Sequence, residues 1–180
     1  MTRWLLWLLG GLLLGGIVHL STILLLPRTA TKDAYSRLEP LTPVNSVVSL
    51  PAPTPAHETI PFMDPAFAVA VCRYDLSNGP LKLRAPISHA YTSVSFYTRS
   101  DIAYYAINDR AAGRRVIELD LMTVPQHEQM PEDEEVTAAD RLIVESPTRS
   151  GLIVLRALSP EPGQMADART TLAAATCRPQ

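Results

Sequence analysis

The chain has 180 residues, 47% of them apolar, with 16 Lys and Arg against 18 Asp and Glu and a formal charge of −2. Once an N-terminal apolar segment is set aside, that length suits one domain with its own core. The near-neutral charge offers no basic surface for nucleic acid, and two cysteines are too few for a disulfide scaffold or a zinc site.

The first element is the stretch from Trp4 to Leu26, 23 residues without a formal charge. At about 1.5 Å per residue it reaches roughly 34 Å, longer than a roughly 30 Å hydrocarbon core, so it predicts a single transmembrane helix within an anchor over 1–28. A cleaved signal peptide has a shorter apolar run, of about 7–15 residues, and ends on small residues. Here the run closes on Leu-Leu-Leu-Pro27-Arg28. Trp4 and Trp7 suit a membrane interface, where an indole keeps its N–H wet. Gly11, Gly15, His19 and Thr22 recur at spacings of four, four and three and so share one helix face. Small residues at Gly-x-x-x-Gly spacing allow another helix to approach closely. The expected partners are therefore the lipid bilayer and, along this stripe, a membrane-protein partner or a second copy of the chain. Apolar anchors also carry glycines with no such contact.

Residues 29–61 read as a proline-rich linker. Asp33 to Leu38 can add a turn or two of helix before Pro40 and Pro43 stop it. Six prolines lie between Pro40 and Pro61, which favours an extended spacer or a segment draped over the domain. Val44 to Leu50 is a candidate edge strand.

The domain proper is expected over 62–180. Phe67–Tyr74, Leu81–Arg84, Tyr91–Arg99, Ile102–Asn108, Arg115–Thr123, Arg141–Ser146 and Gly151–Leu158 are short, rich in Val, Ile, Tyr or Phe, and bounded by turn residues. Local connections between them argue for a mostly β fold, an antiparallel sheet or sandwich. Asn108–Gly113 and Pro147–Gly151 read as hairpin loops. Leu152-Ile-Val-Leu155 is apolar on both faces and is expected in a central strand. Ser159-Pro-Glu-Pro162 carries a hydroxyl cap, early prolines and an acid, the signature of a starting helix. Met165, Ala168, Leu172 and Ala175 or Thr176 then recur at helical spacing, so one C-terminal α-helix is expected to lay that face on the sheet and bring Cys177 to its end. Cys72 and Cys177 can close one bridge outside the cytoplasm, and a loop of roughly a hundred residues corresponds to about 3–5 kcal/mol. Two unrelated buried thiols would read the same.

Chemistry is sparse. His57, His89 and His127 are isolated, and no HExxH, CxxC or EF-hand pattern supports a metal. There is no G-x-S-x-G elbow or phosphate loop, so no catalytic residue and no cofactor are expected. Glu132–Glu135 lacks the spacing of an oxygen cage and reads as a solvated connector. Arg110, Arg114 and Arg115 flank a turn and could meet anions. In the strand Tyr91–Arg99, alternation puts Tyr91, Ser93, Ser95, Tyr97 and Arg99 on one side and Val94 and Phe96 on the other. Glu118 and Asp120 alternate with Ile117, Leu119 and Leu121. Were the two strands neighbours, hydroxyls, a guanidinium and carboxylates would line one ligand face suited to a sugar. A merely polar, solvated face has the same pattern.

Pro61-Phe-Met-Asp-Pro-Ala-Phe67, Cys72-Arg-Tyr-Asp75, Tyr91-Thr-Ser-Val-Ser-Phe96 and Asp109-Arg-Ala-Ala-Gly113 resemble small membrane-anchored bacterial proteins of the domain-of-unknown-function family 1254. The resemblance implies an inner-membrane anchor, a β-rich domain of jelly-roll-like character and a companion domain of unknown function, which a partner protein would supply here. It brings no catalytic residues. Orientation signals conflict. Arg28, Lys32 and Arg37 outnumber Arg3, which by the positive-inside count favours a cytoplasmic domain. The cysteine pair and the resemblance favour the periplasmic side of a bacterial inner membrane. The expected function is a non-enzymatic binding or assembly module of the envelope, with an envelope enzyme or carbohydrate-binding domain as the alternative.

Overall fold

In a computed structural model, residues 2–29, 33–54, 59–112, 115–130 and 142–180 are described, with backbone alone at 27–29. The chain divides into two compact units, Met1–Asp33 and Ala34–Gln180. The first is helix α1, Thr2–Thr29. Its stretch Thr2–Leu26 is long and apolar enough to cross a membrane and is not buried against protein.

The second unit is mostly β. Helix α2 (Ala34–Leu38) and strand β1 (Val47–Ser49) precede β2 (Phe67–Asp75), β3 (Leu81–Pro86), β4 (Thr92–Thr98), β5 (Ala103–Asn108) and β6 (Val116–Thr123). After α3 (Val124–Glu128) come β7 (Leu142–Ser146) and β8 (Ser150–Leu158), then a 3₁₀ turn at Pro162–Gln164, α4 (Met165–Ala173) and β9 (Thr176–Pro179). One sheet runs β1-β2-β8-β4-β5 and the other β7-β6-β3-β9. The doubly apolar β8 lies at the centre of the five-stranded sheet, as its composition requires.

Inward residues of both sheets share one core. Ala70, Cys72, Val94, Phe96, Ile153 and Leu155 come from one side, and the alternating Leu81, Leu83, Leu119 and Leu121 from the other. Helix α4 adds Ala168 and Leu172 to it. The helix begins without the expected hydroxyl cap: Ser159 is buried and donates to the Glu161 carbonyl at 2.7 Å. Cys177 sits on β9 rather than at the helix end, opposite Leu83 of β3. There it is bonded to Cys72 of β2, with Cα atoms 6.6 Å apart, so the bridge joins the two sheets.

The strands are not all antiparallel, contrary to the expectation from the sequence: β7 runs parallel to β6, Leu119 opposite Leu142. A parallel neighbour needs a connection of a dozen or more residues, and residues 124–141 separate the two strands in the chain. The candidate edge strand within Val44 to Leu50 is present as β1, paired with β2, and Leu38 and Leu50 are buried. His57, the Glu132–Glu135 block, Gly113 and Arg114 lie outside the described residues.

A chain of hydroxyls, buried at Tyr74 and Ser146 and half-buried at Tyr104, ties the sheet ends together. Tyr74 Oη lies 2.9 Å from Ser146 Oγ and 3.1 Å from Tyr104 Oη. Ser146 donates to the Thr148 carbonyl at 2.6 Å, and the Tyr74 hydroxyl also donates to the Tyr97 carbonyl at 3.3 Å. Burial, and secondarily Tyr74 beside it, push the Tyr104 hydroxyl far above its ordinary range. The unfolded chain ionises near the usual value of about 10. The stabilisation is thus complete below about pH 10 and is lost as pH rises above it. Melting temperature followed upward from pH 9 is expected to fall, and Tyr104→Phe to flatten that fall. An unchanged alkaline slope in the variant would refute the assignment.

Candidate functional site

The outward face of the five-stranded sheet carries a second, smaller core. Val69 and Val71 of β2 and Leu152 and Val154 of β8 point outward. With one sheet face already in the main core, this apolar patch needs cover. Helix α2 covers it with Leu38, and Ile60 and Met63 pack beside it.

Tyr35 fixes α2 in place. Arg99 lies over its ring at 4.0 Å and Arg73 at 5.1 Å, both within cation–π range. Buried Arg73 also donates from Nε to the Thr42 carbonyl at 3.1 Å and pairs with Glu39 at 3.1 Å. Asp101, at a positive φ of 58°, accepts the Ala34 N–H at 2.9 Å. That bond satisfies one of the donors a helix start leaves open.

The cover is incomplete. Between α2, the 60–64 segment and strands β2, β8 and β4 lies a hollow of about 480 Å³, with Val69, Leu152 and Val154 in its lining. Tyr91, Ser93, Tyr97 and Arg156 also line it. Phe62 stands at its rim, 97% exposed and at φ 62°, a backbone region that L-residues with large side chains rarely adopt. A shallower, more polar depression continues from the hollow over Ser95, Asn108 and Tyr105, and the two share Tyr91, Ser93 and Arg156.

Of the residues read as a ligand face, Tyr91, Ser93, Ser95 and Tyr97 share the outward side of β4 and its approach, where Ser93, Ser95 and Tyr97 are half-buried. Arg99 is engaged on Tyr35 and is not among them. Glu118 and Asp120 belong to β6 in the other sheet, so the two strands are not neighbours and the carboxylates do not join this face. Glu118 instead pairs with Arg84 across β3 and β6 at 2.9 Å. Arg156 and the apolar floor were missed as site residues. Their signal was the apolar character of both faces of β8, which demands a second layer. His127 lies 2.6 Å from Glu145. Among the described residues no three His, Cys, Asp or Glu gather as metal ligands.

On α1, Gly11, Gly15 and His19 line one shallow concavity with Trp7, Leu8 and Leu12. A methyl group added at either glycine would meet nothing within 4 Å. Thr22 turns its hydroxyl back to the Val18 carbonyl at 2.8 Å, which satisfies it without a neighbour.

Fold and face together define a chain with one apolar N-terminal helix and a disulfide-closed, two-sheet β domain that carries a lined hollow. The family model described as protein of unknown function DUF1254 matches residues 44–179, and the chain belongs to that family. The crystal structure of the VPA0106 protein from Vibrio parahaemolyticus is similar in fold, with a TM-score of 0.60 at 12% identity over 81% of this chain and 34% of that one. A putative uncharacterized protein from Burkholderia cenocepacia gives a TM-score of 0.49 at 11% identity, covering 79% of this chain and 36% of that one. The chain thus spans about a third of the solved proteins it matches. Comparison with curated proteins gives no match.

Proposed function

We propose that this chain is a membrane-tethered binding module of a bacterial envelope, held by α1 in the inner membrane with its β domain in the periplasm. The binding element is the hollow on the outward face of the five-stranded sheet. One observation carries this: a sheet already buried on one side keeps a lined cavity of about 480 Å³ on the other, within the size of small-molecule sites. The bridge between Cys72 and Cys177 supports an oxidising compartment. Two sheets around one core suit a jelly-roll-like sandwich. The polar neighbours Ser95 and Asn108 keep a carbohydrate ligand as the alternative.

A photo-reactive phenylalanine analogue at Met63, in the full chain in its own membrane, is expected to yield a specific adduct on irradiation, while the same analogue at Lys82 on the opposite sheet does not. Equal yields at both positions would defeat the binding reading. A reporter fused after Gln180 is expected to be active only outside the cytoplasm; activity inside would overturn the orientation.

The open concavity at Gly11 and Gly15 favours a second role, assembly through α1. Gly11→Leu with Gly15→Leu is expected to abolish self-association or partner co-purification, and unchanged association would end that reading.

A further inference from the structure

The two halves of the outward face differ in chemistry, and that difference specifies a ligand. The apolar half is floored by Val69, Leu152 and Val154 and walled by Leu38, Met63 and Phe67. The polar half carries Ser95, Asn108 and Tyr105. Tyr91, Ser93 and Arg156 belong to both and mark the junction. Register places Arg156 directly between Val69 of β2 and Ser93 of β4. Its guanidinium thus rises beside an apolar neighbour on one side and a hydroxyl on the other.

Among the described lining residues Arg156 is the single cation, and it is exposed. The other guanidiniums near this face, Arg73 and Arg99, are stacked on Tyr35. Asp101 and Asp64 also line the hollow, accepting the Ala34 N–H and the Ala66 N–H, each at 2.9 Å, and their charge disfavours an anion beside them, so an anionic head group belongs at Arg156. What is left at the junction is one planar fork of donors flanked by two hydroxyls. A fork of that geometry matches a carboxylate in two parallel hydrogen bonds. A dianionic phosphate would call for a second cation, and the lining has none among the described residues.

We infer that the hollow binds a single-chain fatty carboxylate, with its chain over Val69, Leu152 and Val154 and its head group on Arg156, Ser93 and Tyr91. This rests on the binding reading above and names its ligand class. One apolar lobe accommodates one chain. Phe62, exposed at the rim, is placed to cover the chain where it meets solvent.

The test uses the full chain in lipid nanodiscs with a diazirine-bearing C16 fatty acid, beside its fatty alcohol and its quaternary ammonium counterpart. Peptide mapping reads labelling in 60–69 and 150–158, normalised to labelling of α1 by probe dissolved in the bilayer. The acid is expected to label the hollow at least tenfold more than either counterpart. Arg156→Gln is expected to remove at least nine-tenths of that labelling while leaving α1 labelling and the melting temperature unchanged. Val154→Trp, which fills the floor, is expected to block all three probes. Equal labelling by acid and alcohol, or acid labelling indifferent to Arg156→Gln, overturns the fatty-carboxylate assignment. A Met63 adduct that persists with no acid labelling, whether its mass is that of a sugar or a protein, overturns the ligand class and leaves the binding reading intact. Loss of the Met63 adduct itself removes both.

Discussion

Replacing Gly151 with alanine is expected to cost about 3 kcal/mol or more, a large part of the roughly 5–15 kcal/mol that holds an ordinary domain folded. A Cβ at this position would lie 2.2 Å from the Tyr97 carbonyl oxygen and 2.4 Å from Tyr74 Oη. Neither neighbour can move cheaply. The carbonyl is backbone of β4, paired in register with β8 through Thr98 opposite Gly151. Tyr74 is fully buried and holds the hydroxyl chain through Ser146 and Tyr104. Overpacking alone costs about 1–3 kcal/mol, and displacing Tyr74 adds unsatisfied buried hydroxyls at about 1–3 kcal/mol each. Urea denaturation of the full chain in nanodiscs would measure it. A loss under 1 kcal/mol would mean the strands separate more easily than this packing implies. Because β4 and β8 also line the hollow, Met63 adduct formation is expected to fall in parallel.

Removing the bridge is expected to have an effect of similar size. Cys72 and Cys177 are separated by 105 positions, and closing a loop of that length stabilises by about 4.7 kcal/mol in the chain-entropy model. The double replacement Cys72→Ser with Cys177→Ser also buries two hydroxyls where two sulfurs were, at positions 0% and 2% exposed. Paired Ala replacements separate the two contributions. The expected result is a loss of about 3–5 kcal/mol for the Ala pair and more for the Ser pair. Reductant is expected to lower the melting temperature of the native chain towards that of the Ala pair and to leave the Ala pair itself unmoved. The effect follows from topology: β9 is a four-residue edge strand, and the bridge ties it to β2, an interior strand of the opposite sheet. A native chain indifferent to reductant would show that β9 contributes little to cooperativity.

Much of the architecture was legible along the chain. Period-two alternation from Thr92 to Thr98 correctly separated the core residues Val94 and Phe96 from the outward Ser93, Ser95 and Tyr97, because a strand has no other way to place successive side chains. The helical spacing of Ala168 and Leu172 predicted the buried face of α4 for the same kind of reason. Strand β9 escaped notice because four residues ending in proline carry no periodicity. The fate of Arg99 was equally invisible, since it depends on Tyr35 in a distant segment.

The residue types alone therefore determined an apolar stretch of membrane-crossing length, the strand-rich character of the rest, and the inward side chains of β4 and α4. Those are local properties, set by spacing and by the solvent each side chain prefers. Tertiary structure alone decided which strands are neighbours, that β7 runs parallel to β6, and that Glu118 and Asp120 lie in a different sheet from Ser93. It alone also gathered Arg156, Val69 and Ser93 into one row. Pairing across a sheet is chosen by how all the apolar faces can be buried together, and no single segment contains that information.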